Sequence, residues 1–262
     1  MQSKVETITP AIATELLKRN TRNRRLSKGV IERYARDMRE GRWQVNGEAL
    51  IIGVDGGLLN GQHRLYACIA AGVAFQSFVT RGVVSEGAFD TIDQGRSRSH
   101  SDIHGMWGEL NTALLSATIK WVWRFFRMTM TSNLSCSMQE ERELLEQNPD
   151  VRNAVTFAAN KRLHARTLLA PSVVAFSYWC FNRQDSDMCK LFFDMLSTGI
   201  NLRGDDPIYA LRERLYRAGK TLHPYETLAL VCKAWNYTKA GKRITVLIWR
   251  QDEPFPNIWD AK

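Results

Sequence analysis

No apolar run in the sequence reaches the roughly 20 residues that a bilayer crossing requires. The opening residues, Met1-Gln2-Ser3-Lys4-Val5-Glu6, lack the apolar core of a signal peptide. These two absences predict a cytoplasmic chain with no membrane partner. Cysteine is scarce and badly placed for bridging: Cys68, Cys136, Cys180, Cys189 and Cys232 are odd in number, widely spaced and contain no Cys-x-x-Cys pair. A disulfide framework and a structural zinc site are both excluded on that pattern, and buried or half-buried thiols are expected. No internal repeat and no low-complexity tract appears. Histidine is sparse as well, at five residues, so each one can be considered singly.

An uneven distribution of charge is present instead. The chain of 262 residues carries a formal charge of +9. Between Lys18 and Arg42 lie ten basic residues (Lys18, Arg19, Arg22, Arg24, Arg25, Lys28, Arg33, Arg36, Arg39, Arg42) against three acids (Glu32, Asp37, Glu40), leaving +7 in that window. Such a block attracts polyanions through counterion release, or else forms a solvated helix face. Arg22, Arg24, Arg25 and Lys28 are the candidate nucleic-acid contacts.

The two halves read differently. In the first, Thr9-Pro10 opens a short helix over Ala11–Leu17, with Thr as cap and Pro at its first position. A polar connector, Asn20 to Leu26, leads to Ser27, which is placed to cap a second helix running to Gly41. Glu48–Gly53 reads as a buried strand and Asp55-Gly56-Gly57 as a turn. A helix over Gln62–Ala71 stops at Gly72. Phe75–Val84 is a further strand and Glu86–Ile92 a short helix. From Glu109 to Ala240 the pattern is helical almost throughout, including Leu110–Met128, Met138–Gln147, Pro171–Asn182, Met188–Ser197, Pro207–Ala218 and Pro224–Ala240. Ile244–Trp249 is a late strand candidate, and Gln251–Lys262 a loose tail. An α+β fold follows, with an α/β module over residues 1–104 and a mainly helical module over 105–262.

The segment Leu58-Leu59-Asn60-Gly61-Gln62-His63-Arg64-Leu65-Tyr66-Ala67 carries the chemistry. A strand, a glycine and then a helix is an arrangement that holds phosphate, because the first helical turn has unpaired N–H groups and a partial positive charge. Gly61 permits close approach, and Arg64 adds a planar donor fork. Together with Glu48-Ala49-Leu50-Ile51-Ile52, and with Ala70-Ala71-Gly72 closing the helix, this segment resembles the strand, turn and Gly-x-x-Arg helix of the ParB/sulfiredoxin superfamily. It is similar above all to variants with an Asp-Gly-Gln-His-Arg motif, found in phage and DNA-modification proteins, with Asn60 standing for the Asp. The likeness covers about residues 5–104. It implies that Gly61, His63 and Arg64 contact nucleotide phosphates, and that Gln62 positions a water or phosphoryl group. Gln62 and His63 are then the catalytic candidates, with ATP or CTP, and Mg²⁺ beside it, as cofactors. Gln62 occupies the position of the sulfiredoxin cysteine, which argues against thiol chemistry. The same residue and His63 depart from the Gly-Glu-Arg-Arg of chromosome-partitioning relatives.

Other clusters are ambiguous. Asp93-Gln94-Gly95-Arg96-Ser97-Arg98-Ser99 either completes the phosphate pocket, with Asp93, Arg96 and Arg98 as nucleotide-binding residues, or is a charged linker. His100 and His104 are four apart, as on a metal-binding helix face, yet no Glu completes a His-Glu-x-x-His pattern, so no metal site is assigned. Trp121, Trp123, Phe125 and Phe126 read as helix core ahead of base-stacking platforms.

The leading expectation is a nucleotide-binding protein acting on or around DNA in phage or mobile-element biology, with NTPase or phosphotransferase activity open. The alternatives are a non-enzymatic DNA-binding regulator, in which His63 is structural, and a phage protein that inhibits a host factor. A nuclease ranks below these for want of a carboxylate cluster. A homodimer through the helical module is a further expectation.

Overall fold

The computed structural model describes residues 1–21, 23–85, 87, 92, 98–160, 168–218 and 221–258. The fold is α+β, with a four-stranded mixed sheet in the first part and helices in the second. The chain forms two compact units, Met1–Ser97 with Ser135–Gln139, and Arg98–Leu134 with Glu140–Lys262. The expected boundary at residue 104 therefore lies seven residues beyond the division at Ser97.

In the first unit, β1 (Gln2–Ile8), β2 (Leu50–Gly53), β3 (Leu58–Asn60) and β4 (Phe75–Val83) stand in the order β1-β4-β2-β3. β1 pairs with β4 antiparallel, from Gln2 opposite Arg81 to Ile8 opposite Phe75. β2 runs parallel to β4 and antiparallel to β3. The β2–β3 hairpin closes through Asp55-Gly56-Gly57, where Gly53 N donates to Gly57 O at 2.9 Å. β1 has no counterpart among the sequence expectations, because four of its first five residues are polar and no apolar alternation marks it.

Among the described residues, three helices complete the unit. α1 (Pro10–Leu17) is capped by Thr9, whose hydroxyl accepts from Ile12 N at 3.2 Å. α2 is Lys28–Arg39, and α3, Gln62–Ala71, ends at Gly72 with φ 71°. Both α1 and α2 pack on α3. Ile8, Ala13, Ala35, Met38, Leu50, Leu65, Phe75 and Val79 form the core between them. Trp43 closes its margin, edge-on to Tyr34 and Phe75, and donates to Gln76 O at 3.1 Å. The Ser135–Gln139 segment joins this unit: Ser137 donates to Asp37 at 2.8 Å, and Arg36 donates to Ser135 O at 2.7 Å. The expected helix over Glu86–Ile92 lies almost wholly outside the described residues.

The second unit is built around α8 (Pro171–Gln184), which is apolar on nearly every face and contacts α5 (Thr112–Phe126), α7 (Val151–Ala158), α9 (Ser186–Thr198) and α11 (Pro224–Lys239). α4 (His100–Met106), α6 (Met138–Gln147) and α10 (Pro207–Ala218) complete the described helices. Phe181 stacks on Trp235 at 4.3 Å with the rings 3° from parallel, and Trp235 Nε1 donates to Gln184 at 3.0 Å. All five cysteines are buried and free, as their spacing predicts.

Two expectations for the C-terminus are corrected. Ile244–Trp249 is not a strand. Among the described residues of this unit its β-branched residues have no sheet to join, so the segment runs irregularly, burying Leu247 and Trp249 while Lys233 donates to Ile248 O at 2.7 Å. The tail is docked rather than loose as far as it is described. Ile258 is buried, Asn236 donates to Asn257 O at 2.6 Å and Gln184 donates to Ile258 O.

Candidate functional site

β3 delivers the chain to Gly61, which begins α3 with φ 105°. A β-carbon there would strike Leu50 Cδ2, so both the left-handed backbone and the close approach of β2 require glycine. The three residues after it are all buried, at 4% exposure for Gln62, 9% for His63 and 7% for Arg64. Burying such side chains is unfavourable unless their polar atoms are satisfied.

Each is satisfied by the chain itself. The Gln62 carbonyl accepts from Asn20 Nδ2 at 3.1 Å, and its amide donates to Arg24 O at 2.6 Å. His63 Nε2 accepts from Ser27 N at 3.0 Å. Arg64 donates to Glu48 O at 2.5 Å and Ala49 O at 2.7 Å, holding the chain where it enters β2. Asn23 extends the network, donating to Asn20 Oδ1 and to Leu58 O, each at 2.7 Å. Leu58 N in turn donates to Arg19 O at 3.1 Å. The first turn of α3 thus fastens the connector 20–27 at its beginning, middle and end.

His63 is held neutral. Burial pushes its pKa below the ordinary histidine value, and the nearby Arg24 charge adds to that. The geometry agrees, because a backbone N–H can only donate, so Nε2 must be unprotonated to accept from Ser27. Ser27 stands at the start of α2 as expected, but its hydroxyl makes no cap bond. The tie at that helix start is its backbone N–H to His63.

Three cations at the end of the connector and the start of α2 face outward. Arg24, Arg25 and Lys28 are exposed and form no ion pair among the described residues. Their neighbours are engaged: Lys18 pairs with Glu15 at 2.6 Å, Arg42 with Glu40 at 2.5 Å, and the Arg19 guanidinium lies against Gly56. The structure therefore brings Arg24 beside Gln62 and His63. Arg22, Asp93 and Arg96 lie outside the described residues, and Arg98 is an exposed residue of the second unit. Asn20 and Asn23 are the functional neighbours that the sequence reading passed over. Two asparagines three apart in a polar connector are a signal for side-chain bonds to nearby backbone.

In the second unit, His100 Nδ1 and His104 Nε2 meet the two oxygens of Glu141 at 2.6 and 2.7 Å. Glu141 and His104 are completely buried. Glu141 comes from α6, so no spacing rule applied to the His pair reveals it. Among the described residues, no group of three or more His, Cys, Asp or Glu is placed to hold a metal ion. Trp121 and Trp123 are buried, as expected of core residues, whereas Phe126 is half exposed. Among the described residues no helix is long and apolar enough to cross a membrane.

No family model, no curated protein and no solved structure matches this chain.

Proposed function

We propose that the first unit is a non-enzymatic nucleic-acid-binding module, with DNA as its polyanion. One observation carries this reading. Gln62 and His63 hold the backbone of Arg24 and Ser27, while the side chains of Arg24, Arg25 and Lys28 are exposed and form no ion pair among the described residues. Fixing the backbone beneath three free cations lowers the ordering cost of a phosphate contact, since only the side chains remain to be immobilised. The Gly61–Arg64 turn is then the internal support of the surface.

The test is fluorescence anisotropy of labelled duplex DNA across a salt series. Each phosphate contact contributes about 0.9 to the slope of log affinity against log salt. The triple substitution Arg24→Ala, Arg25→Ala, Lys28→Ala is expected to lower the slope by about 2–3. An unchanged slope overturns the reading.

The uncapped start of α3 supports a second reading, in which a nucleotide such as ATP or CTP, with Mg²⁺, docks its phosphates at Gly61 and Gln62. A catalytic role for Gln62 or His63 then requires their bonds to Arg24 O and Ser27 N to open. Calorimetric titration of ATP and CTP with Mg²⁺ separates the two readings. Saturable heat of binding supports the second, and its absence removes it.

A further inference from the structure

β1 is an edge strand. β4 flanks it on one side, and among the described residues no strand flanks it on the other. Its residues Gln2, Ser3, Lys4, Val5 and Thr7 are exposed, so the outer row of N–H and C=O groups is open to another chain. Natural edges of this kind are blunted by prolines, bulges or runs of lysine. Here the strand pairs with β4 without interruption over Gln2–Ile8 and carries one lysine and one glutamate.

The positions of those two charges are informative. Lys4 and Glu6 are two apart, on the same face of the strand. When two copies of β1 pair antiparallel about a two-fold axis at Val5, Lys4 of each copy stands opposite Glu6 of the other. Ser3 then stands opposite Thr7, and Gln2 opposite Ile8. Slipping by one step that preserves the faces puts Lys4 opposite Lys4, and slipping the other way puts Glu6 opposite Glu6. Like charges directly opposite destabilise an antiparallel pair, whereas opposite charges stabilise it. The sequence Lys4-Val5-Glu6 is therefore self-complementary in one register and self-repelling in both adjacent ones.

We propose that β1 joins β1 of a second copy of this chain, antiparallel about a two-fold axis at Val5, making one sheet continuous through both copies. Arg81, which donates to Glu6 from β4, and Lys4, 3.5 Å from the same carboxylate, hold Glu6 ionised below its ordinary range. The contact is small, below about 1,200 Å² in total, so the association is concentration-dependent.

Sedimentation equilibrium of the full chain tests this with two single substitutions. Lys4→Glu places Glu opposite Glu twice, and Glu6→Lys places Lys opposite Lys twice. Each variant alone is expected to associate about tenfold more weakly than the wild type. An equimolar mixture of the two regains association, because both cross-strand pairs are again of opposite sign. Cysteine substitution supplies a second readout that does not depend on Glu6. Facing Cα atoms at a two-fold lie about 4.5–5.5 Å apart, within disulfide reach. Val5→Cys is therefore expected to cross-link on mild oxidation. Ser3→Cys, about 13 Å from its symmetry mate, does not. A wild type that stays monomeric at all concentrations overturns the proposal. So does a dimer indifferent to the charge substitutions that cross-links equally at both positions.

Discussion

The two units solve the problem of burying polar groups in different ways. In the first, Gln62, His63 and Arg64 are buried against main chain: their partners are Arg24 O, Ser27 N, Glu48 O and Ala49 O. In the second, a buried carboxylate is met by side chains, with Glu141 between His100 and His104, and a separate core holds stacked aromatics. A small sheet with three helices has limited apolar area to hold a long connector. Side-chain bonds to backbone fix such a segment where packing does not. The helical unit has Trp179, Trp235, Phe176, Phe181, Phe192 and Phe193 fully buried, and its helices satisfy their own backbone. A buried histidine near a conspicuous turn can thus be architecture in one region, while two histidines share a carboxylate in another.

The largest effect expected on this contrast comes from Trp235→Ala. It removes the ring stacked on Phe181 and the bond to Gln184, and is expected to destabilise the second unit by about 3–5 kcal/mol. Urea denaturation followed by hydrogen exchange should place the loss in α8 and α11. Equal loss of protection in α3 would break the contrast. Next comes Arg64→Ala, which leaves the carbonyls of Glu48 and Ala49 without their charged donor. A loss of about 2–3 kcal/mol is expected, confined to the first unit. Lysine at the same position should recover only part, since its single ammonium lacks the planar fork whose two nitrogens reach the two carbonyls.

Acid sensitivity is a smaller effect that distinguishes the units. The folded pKa of His63 lies below the ordinary value of 6.5. The unfolded chain therefore takes up a proton that the folded chain refuses. The stability this residue contributes is complete above about pH 6.5 and declines as pH falls towards the folded pKa. Thermal melts of the wild type between pH 7 and pH 5 should show that slope in the first unit. His63→Gln keeps an acceptor that does not titrate and should flatten it. A slope that survives the substitution would assign it elsewhere. The smallest effect is that of Arg24→Ala with Arg25→Ala and Lys28→Ala on folding. Because only exposed side chains are removed and the backbone bond to Arg24 O is kept, these should alter stability by no more than about 0.5 kcal/mol.

Much of the helical unit is legible because its helices carry their own punctuation. Pro207 and Pro224 open α10 and α11 at the first helical position, and Met138–Gln147 and Pro207–Ala218 begin and end where periodicity places them. The segment Ile244–Trp249 misleads for the opposite reason: β propensity is local, but a strand exists only beside a partner. β1 is missed because an exposed edge carries no apolar alternation. The position of the Gly61–Arg64 turn is likewise readable, since a glycine between a strand and a helix is a local signal. What its side chains do is not, because Asn20, Arg24 and Ser27 lie 36–42 residues away in the chain. Glu141 is distant from His100 for the same reason, and neither partner is implied by any spacing.

The anchoring of the connector also bears on which changes in length the chain tolerates. Its beginning is set by Asn20 against Gln62 and its end by Ser27 against His63, with Arg24 held between them. Adding or deleting one residue anywhere in that stretch cannot be absorbed by a bulge without releasing one of the three ties. The exposed stretch Gln44–Gly47, bound by no such set of anchors, accepts an inserted residue at the modest closure cost of an ordinary loop. The two loops should therefore differ sharply in an insertion scan, and the scan would read the three-point attachment directly from survival.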